Sequence, residues 1–257
     1  MPALPAHVIT RAVPDAFDQA LQHRPAPIDV SAARAQHAGY VAALRRAGAS
    51  VTVLPAQHHL PDCCFVEDPV VVLGERALLC RSAAASRGPE ADTLRPALSA
   101  RCDLVEMAAP ATLDGGDVMR VQDRLFVGRS SRTNAAGVDA LRAAGGLEVV
   151  EVPLRDGLHL KSVVTLAAPG TLLCVAGAID VEAFSGLTLL EAPEWFGGNV
   201  LRVGAVTLVS AAAPQTAALL RARGVAVDVV DVGEFHKADG ALTCLSVRLP
   251  PPGGWVA

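Results

Sequence analysis

Apolar and polar positions alternate along this chain in short runs, and the runs return at a regular interval. His7 to Val13 (HVITRAV) opens with a strand pattern. A helical stretch follows from Ser31 to Ala47, with Ala38, Val41, Ala42 and Leu44 on one face, Ser31 as its cap and Gly48 as its stop. A short strand, Val51 to Leu54, comes next. The same succession of helix and strand then recurs. Leu94 to Cys102 leads into Asp103 to Met107, and Asn134 to Ala144 into Leu147 to Val152. A short helix at Val181 to Phe184 leads into Leu187 to Leu190, and Pro214 to Arg223 into Val225 to Val230.

Each of these strands is followed by a polar or proline-bearing loop and then by a hairpin pattern. The hairpins begin at Asp68, Asp117, Lys161 and Asn199, and a last strand run begins at Cys244, so the junctions are 38 to 49 residues apart. Gly115 to Val121 (GGDVMRV) and Gly197 to Val203 (GGNVLRV) align with each other. A period of this length marks a repeat architecture. With a helix in every repeat, the prediction is α/β: a pseudo-five-fold α/β propeller of repeated ββαβ units, strands inside and helices outside. The last unit lacks a partner strand, and HVITRAV is expected to supply it and close the ring. A doubly wound sheet is the competing arrangement for five helix–strand pairs. No Ser/Gly-rich linker divides residues 1–257, which are read as one catalytic domain.

Composition narrows the function. The chain of 257 residues is 51% hydrophobic, 19% charged and only 4% aromatic, so its core is expected to be Val, Leu and Ala. A net charge of -4 without a long basic run disfavours nucleic-acid binding. No secretory leader pattern and no apolar run long enough for a membrane span are evident, so neither secretion nor membrane association is expected. Six cysteines in a chain this long read as free thiols in a reducing cytoplasm.

In a ring of equivalent units the same loop of every unit faces one axis. The five loops are QHHLPDCCFVED, PATLDGGD, RDGLHLK, EWFGGN and EFHKADGALTC. They would gather Asp62, Glu67, Asp68, Asp114, Asp117, His159, Lys161 and Cys244 in one pocket. Carboxylates alone raise a thiol's pKa and repel anions. They make sense around a cationic, multi-donor substrate such as a guanidinium, which paired carboxylates match and which lowers the thiol pKa on binding. Cys244 is then the nucleophile, His159 the general acid and base, and Asp114 the acid that orients the imidazole. Taken singly, each residue has a plainer reading: a buried small thiol, a surface histidine, a turn at LDGGD, a hairpin-edge lysine. Their shared phase in the repeat sets them apart. His58, His59, Cys63 and Cys64 could in principle hold zinc, but the usual two-residue spacers are missing, so no metal or other cofactor is expected.

LPDCCFVED, TLDGGDV, SRTN at Ser131 to Asn134, DGLHLKS at Asp156 to Ser162, and DGALTCLSV at Asp239 to Val247 resemble the dimethylarginine dimethylaminohydrolase family of the guanidine-modifying, or pentein, superfamily. The resemblance spans nearly the whole chain and is weakest over Gly177 to Glu194. It implies a pseudo-five-fold propeller and a small guanidinium substrate. In that chemistry Cys244 attacks the guanidinium carbon of N-omega-methylated arginine, His159 protonates the departing amine, and water then releases citrulline. It implies that Asp68, with Glu67 beside it, anchors the guanidinium, and that Asp62 receives the α-amino group. Arg87 and Arg132 would hold the α-carboxylate, Leu21 would sit on a lid, and Ala238 would lend a backbone carbonyl. Arginine deiminase chemistry, a non-catalytic arginine-binding module and a zinc amidohydrolase are the alternatives. The oligomeric state stays open, a homodimer included.

Overall fold

The computed structural model describes residues 7–249. An antiparallel hairpin closes through a tight turn, whereas a third strand parallel to the second needs a helical crossover. The chain repeats that unit. Strand β1 (His7–Arg11), helix α1 (Val30–Arg46) and β2 (Ser50–Leu54) begin the ring. The second unit is β3 (Val70–Leu73), β4 (Arg76–Leu79), α2 (Glu90–Ser99) and β5 (Asp103–Glu106). The third is β6 (Val118–Val121), β7 (Arg124–Arg129), α3 (Ala135–Gly145) and β8 (Glu148–Pro153). The fourth has a helical turn α4 (Leu160–Val163), β9 (Val164–Ala168), β10 (Thr171–Cys174), a 3-10 turn (Val181–Phe184) and β11 (Thr188–Glu191). The fifth is β12 (Leu201–Val203), β13 (Val206–Ser210), α5 (Pro214–Ala222) and β14 (Ala226–Val230). Helix α6 (Gly233–Lys237) and β15 (Val247–Leu249) complete the chain.

The result is five separate three-stranded sheets, each with one antiparallel and one parallel pairing. Strand β15 pairs antiparallel with β1, Ile9 facing Val247 and His7 facing Leu249, so the two ends of the described chain close the ring. The fold is the predicted α/β propeller.

The core is divided in the same way. Five apolar clusters fill the five gaps between neighbouring sheets. Leu94 and Leu98 of α2 fill one gap, Val138 and Leu141 of α3 the next, and Ala217 and Leu220 of α5 another. Tyr40 and Leu44 of α1 close the gap between the last sheet and the first. The fourth unit has only its 3-10 turn, and there Phe184 stacks on Phe126 with ring centroids 4.7 Å apart. A large ring takes the place of a helix face.

Three local expectations are corrected. Helix α1 is capped by Asp29, whose Oδ1 accepts from the Ala32 amide at 3.0 Å, and not by Ser31. Its buried face carries Ala33, His37, Tyr40, Val41 and Leu44, while Ala38 is exposed. Apolar counting passes over rings that packing holds inside: Tyr40 Oη donates to Leu242 O and bonds Ser246 Oγ. Lys161 lies in a helical turn rather than on a hairpin edge, and the strand starts at Val164. Among the described residues, no helix is long and apolar enough to cross a membrane.

Candidate active site

The five junctions bond to one another around the axis. Asp68 Oδ1 accepts from the Gly116 amide at 3.1 Å, and Asp117 Oδ1 from the Leu160 amide at 2.9 Å. Asn199 Nδ2 donates to Lys161 O at 2.7 Å, and Asn199 Oδ1 accepts from the Thr243 amide at 3.2 Å. Thr243 Oγ1 donates to Glu67 Oε2 at 2.8 Å, and the Glu67 amide donates to Cys244 O at 3.2 Å. Every link joins one repeat to the next: Asp68, Asp117 and Asn199 satisfy backbone groups of a neighbouring repeat, and Thr243 and Cys244 meet the side chain and amide of Glu67.

Two glycines let this ring tighten. A Cβ at Gly115 would stand 2.2 Å from Glu67 O, and one at Gly116 would stand 2.6 Å from His159 Nδ1 and 2.7 Å from Asp68 Oδ1. Neither residue has a positive φ. The LDGGD sequence is therefore a matter of close approach and not of turn conformation.

A cavity of about 330 Å³ opens at the ring and is lined by Asp62, Asp68, Arg87, Arg132, His159 and Cys244, together with Leu21, Ala238 and Asp239. His159 precedes α4 in an extended conformation, its amide donating to Ser162 Oγ at 3.3 Å. Its Nε2 lies 3.2 Å from Asp114 Oδ2, and its Nδ1 lies 3.7 Å from Asp68 Oδ1. Burial alone would lower the imidazole pKa, but Asp68, the hydrogen bond to Asp114 and the Asp117 charge together push it up to about 9. The ring is thus held as an imidazolium at neutral pH, ready to give a proton. Burial would raise Asp68, yet His159 and Arg87 bring it down to about 2. Cys244 is 9% exposed. Burial, then the Glu67 and Asp68 charges, push its thiol up to about 12 against the pull of Lys161. Without a ligand Cys244 is a neutral thiol, and a cation in the cavity is what would ionise it.

Not every expected contact faces the cavity. Glu67 is not among its lining residues, because its carboxylate is held by Lys161 Nζ at 2.5 Å and by Thr243. Asp117 is fully buried behind the wall, accepting from Ser130, Thr133 and the Leu160 amide. Arg87 reaches the cavity but is committed to neighbours: NH1 donates to Asp68 Oδ2 at 2.6 Å, Nε and NH2 to Glu90, and NH2 to Phe65 O at 3.2 Å. Burial pushes the Glu90 carboxyl up to about 7 although Arg87 opposes it. Arg132 NH1 lies 3.7 Å from Asp114 Oδ2. Asp62 Oδ1 accepts from the Leu21 amide at 3.1 Å, which ties the loop carrying Leu21 to the wall.

Sequence reading missed the wall residues Asp239, Phe65, Ser131 and Leu158, and Glu90, which meets the site only through Arg87. Asp239 accepts from the His23 amide and has a φ of 55°, a value that only the backbone reveals. A signal for Glu90 was available: it lies three positions after Arg87 and before a helical run, the spacing of an ion pair across one helical turn.

Asp68, Asp114 and His159 bring ligand-type atoms within 4.8 Å of one another, but Arg87 already sits on Asp68. His58 is exposed and paired with Asp15, whereas Cys63 and Cys64 are buried, so the four residues considered for zinc point to different surroundings. All six cysteines are unpaired and buried.

The fold and this thiol–imidazole–carboxylate set define a pentein-type propeller with a cysteine at its centre. The chain belongs to the dimethylarginine dimethylaminohydrolase family. Residues 5–183 match the family described as N,N dimethylarginine dimethylhydrolase, eukaryotic. The N(G),N(G)-dimethylarginine dimethylaminohydrolase of Streptomyces coelicolor is 42% identical over 227 residues, covering 86% of this chain and 88% of that protein. Among solved structures, a histidine-to-glycine variant of dimethylarginine dimethylaminohydrolase carrying an S-methyl-L-thiocitrulline adduct superposes with a TM-score of 0.91 at 29% identity, over 95% of this chain and 100% of the other. The Pseudomonas aeruginosa enzyme, as a cysteine-to-serine variant complexed with citrulline, superposes with a TM-score of 0.89 at 29% identity, over 96% of this chain and 100% of the other.

Proposed function

We propose that this chain hydrolyses N-omega-methylated arginine, asymmetric dimethylarginine and monomethylarginine, to citrulline and dimethylamine or methylamine. The observation that carries this reading is one cavity in which a thiol, an imidazolium and buried carboxylates face the same space. Family membership supports it, as do the citrulline and thiocitrulline ligands of its structural relatives.

The guanidinium enters beside Asp68, with Asp62 taking the α-amino group and Arg132 and the free N–H of Arg87 taking the α-carboxylate. Its positive charge offsets the carboxylates that hold Cys244 neutral, so on binding the thiol gives up its proton to water and the thiolate forms. The sulfur adds to the guanidinium carbon. His159, protonated and oriented by Asp114, gives its proton to the substituted nitrogen, and the amine leaves as the C–N bond breaks. A cysteine-bound S-alkylthiouronium remains. His159, now neutral, takes a proton from water; the resulting hydroxide adds to the same carbon, and the C–S bond breaks to give citrulline and Cys244. Leu21 and Ala238 border the cavity where the loop and the nucleophile segment meet. Contacts to the site come from all five repeats, so residues 1–257 act as one catalytic domain. Six unpaired thiols favour the reducing cytoplasm as its compartment.

The test is a comparison of arginine, monomethylarginine and asymmetric dimethylarginine, read as citrulline. Faster turnover of the methylated substrates supports the reading; fastest turnover of arginine replaces it with a deiminase.

A further inference from the structure

We propose that Lys161 is a positioning residue for the nucleophile, acting through Glu67 and Thr243 on the backbone and the charge behind Cys244. The proposal rests on Cys244 being the nucleophile, as argued above.

The observation is a closed cycle of side chains. Lys161 Nζ donates to Glu67 Oε1 at 2.5 Å, with the two side chains 12% and 11% exposed. The other oxygen, Glu67 Oε2, accepts from Thr243 Oγ1 at 2.8 Å. Thr243 Oγ1 also accepts from Asn199 Nδ2 at 2.9 Å, and the Thr243 amide donates to Asn199 Oδ1 at 3.2 Å. Asn199 Nδ2 returns to Lys161 O at 2.7 Å. The cycle therefore begins and ends on Lys161 and grips the residue just before Cys244 from both its amide and its hydroxyl. The Glu67 amide adds a bond to Cys244 O at 3.2 Å.

Neither Lys161 nor Glu67 lines the cavity. They make no contact with the cavity's contents, so their action on Cys244 can be read in the free protein, apart from any effect of Lys161 on Asp68. The signs are set by the placement. The Glu67 anion behind the sulfur opposes thiolate formation, and Lys161 opposes Glu67. Removing Lys161 alone strands a buried carboxylate, the costly way to break such a pair; removing both charges does not. Lys161 also stands two residues after His159, in the helical turn that His159 begins, so one turn presents the general acid to the cavity and the balancing cation to the nucleophile's rear.

The experiment reads the free protein without substrate: the pH dependence of Cys244 alkylation by iodoacetamide, with peptide mapping to separate Cys244 from the other cysteines. For each pH unit by which the thiol midpoint rises, the thiolate fraction at fixed pH falls about tenfold, and the greater basicity of the thiolate returns part of that loss. Lys161→Met is expected to slow alkylation at fixed pH by about threefold or more. Lys161→Arg should restore the rate, and adding Glu67→Gln to Lys161→Met should bring it back to the wild-type value or above. Glu67→Gln alone should speed alkylation, which keeps the test available if Lys161→Met does not fold. Unchanged alkylation profiles in every folded variant, with only a lower melting temperature, would make the pair structural and overturn the proposal. Failure of the nucleophile assignment shows separately, as citrulline formation surviving Cys244→Ser.

Discussion

Replacing Asp114 by Asn isolates one of the three carboxylates that, with Asp68 foremost, hold His159 as an acid. Asp114 is fully buried and its Oδ2 lies 3.2 Å from His159 Nε2. A hydrogen bond to a charged group contributes about 1.5–3 kcal/mol, so its loss should lower the imidazole midpoint by about 1–2 pH units from its value of about 9. Asp68 at 3.7 Å and the buried Asp117 remain to hold the rest of the shift. In the proposed mechanism the departing amine takes its proton from the imidazolium, so the alkaline limb of the kcat profile should move to lower pH by the same amount. The stability effect has a defined sign. His159 titrates higher in the folded chain than its ordinary 6.5, so it stabilises the fold below pH 6.5, by about 3 kcal/mol, and that contribution is lost as pH rises through about 9. Asp114→Asn should therefore destabilise most below pH 6.5 and differ least from wild type above pH 9. Histidine NMR titration together with kcat from pH 6 to about 10 checks both. An alkaline limb and an imidazole midpoint that stay in place would refute the assignment of Asp114 as the orienting acid.

Three other outcomes follow from the geometry. Arg87→Ala strands the buried Asp68 and Glu90 carboxylates and should cost about 3–5 kcal/mol in denaturant unfolding, while Arg87→Lys recovers only part because it cannot serve both partners. Gly116→Ala places a methyl 2.6 Å from His159 Nδ1 and 2.7 Å from Asp68 Oδ1, so kcat should fall by about 100-fold and stability by about 1–3 kcal/mol; retained activity would show that the histidine yields freely. Phe184→Ala empties the gap that a helix fills elsewhere and should cost about 3–5 kcal/mol by chemical denaturation, with KM unaffected.

Much of the propeller is visible in the chain because its units obey one rule. A hairpin, a crossover helix and a returning strand recur with the same phase, so locating the junctions at Asp68, Asp117, Lys161, Asn199 and Cys244 also locates the axis. What the phase does not reveal is direction. Glu67 and Asp68 are adjacent, yet one faces the ring and the other the cavity. Asp114 and Asp117 flank the same two glycines, yet one meets His159 and the other caps the Leu160 amide. Lys161 reads as a solvated edge and is instead almost enclosed with Glu67. In each case the choice is made by contacts between repeats far apart in sequence, where composition and spacing carry no signal. Tyr40 is the same lesson in the core: its hydroxyl finds partners at Leu242 and Ser246, which lets a polar ring occupy a buried helix face.

The central claim is that Cys244 carries the substrate covalently between the loss of the amine and the arrival of water. Rapid acid quenching of the wild-type protein during turnover of asymmetric dimethylarginine, followed by intact-mass and peptide analysis, tests it directly. The account predicts a mass increase equal to the substrate less dimethylamine, located on the peptide containing Cys244 and absent from Cys244→Ser. An adduct on another cysteine, or citrulline production by Cys244→Ser at the wild-type rate, would contradict it.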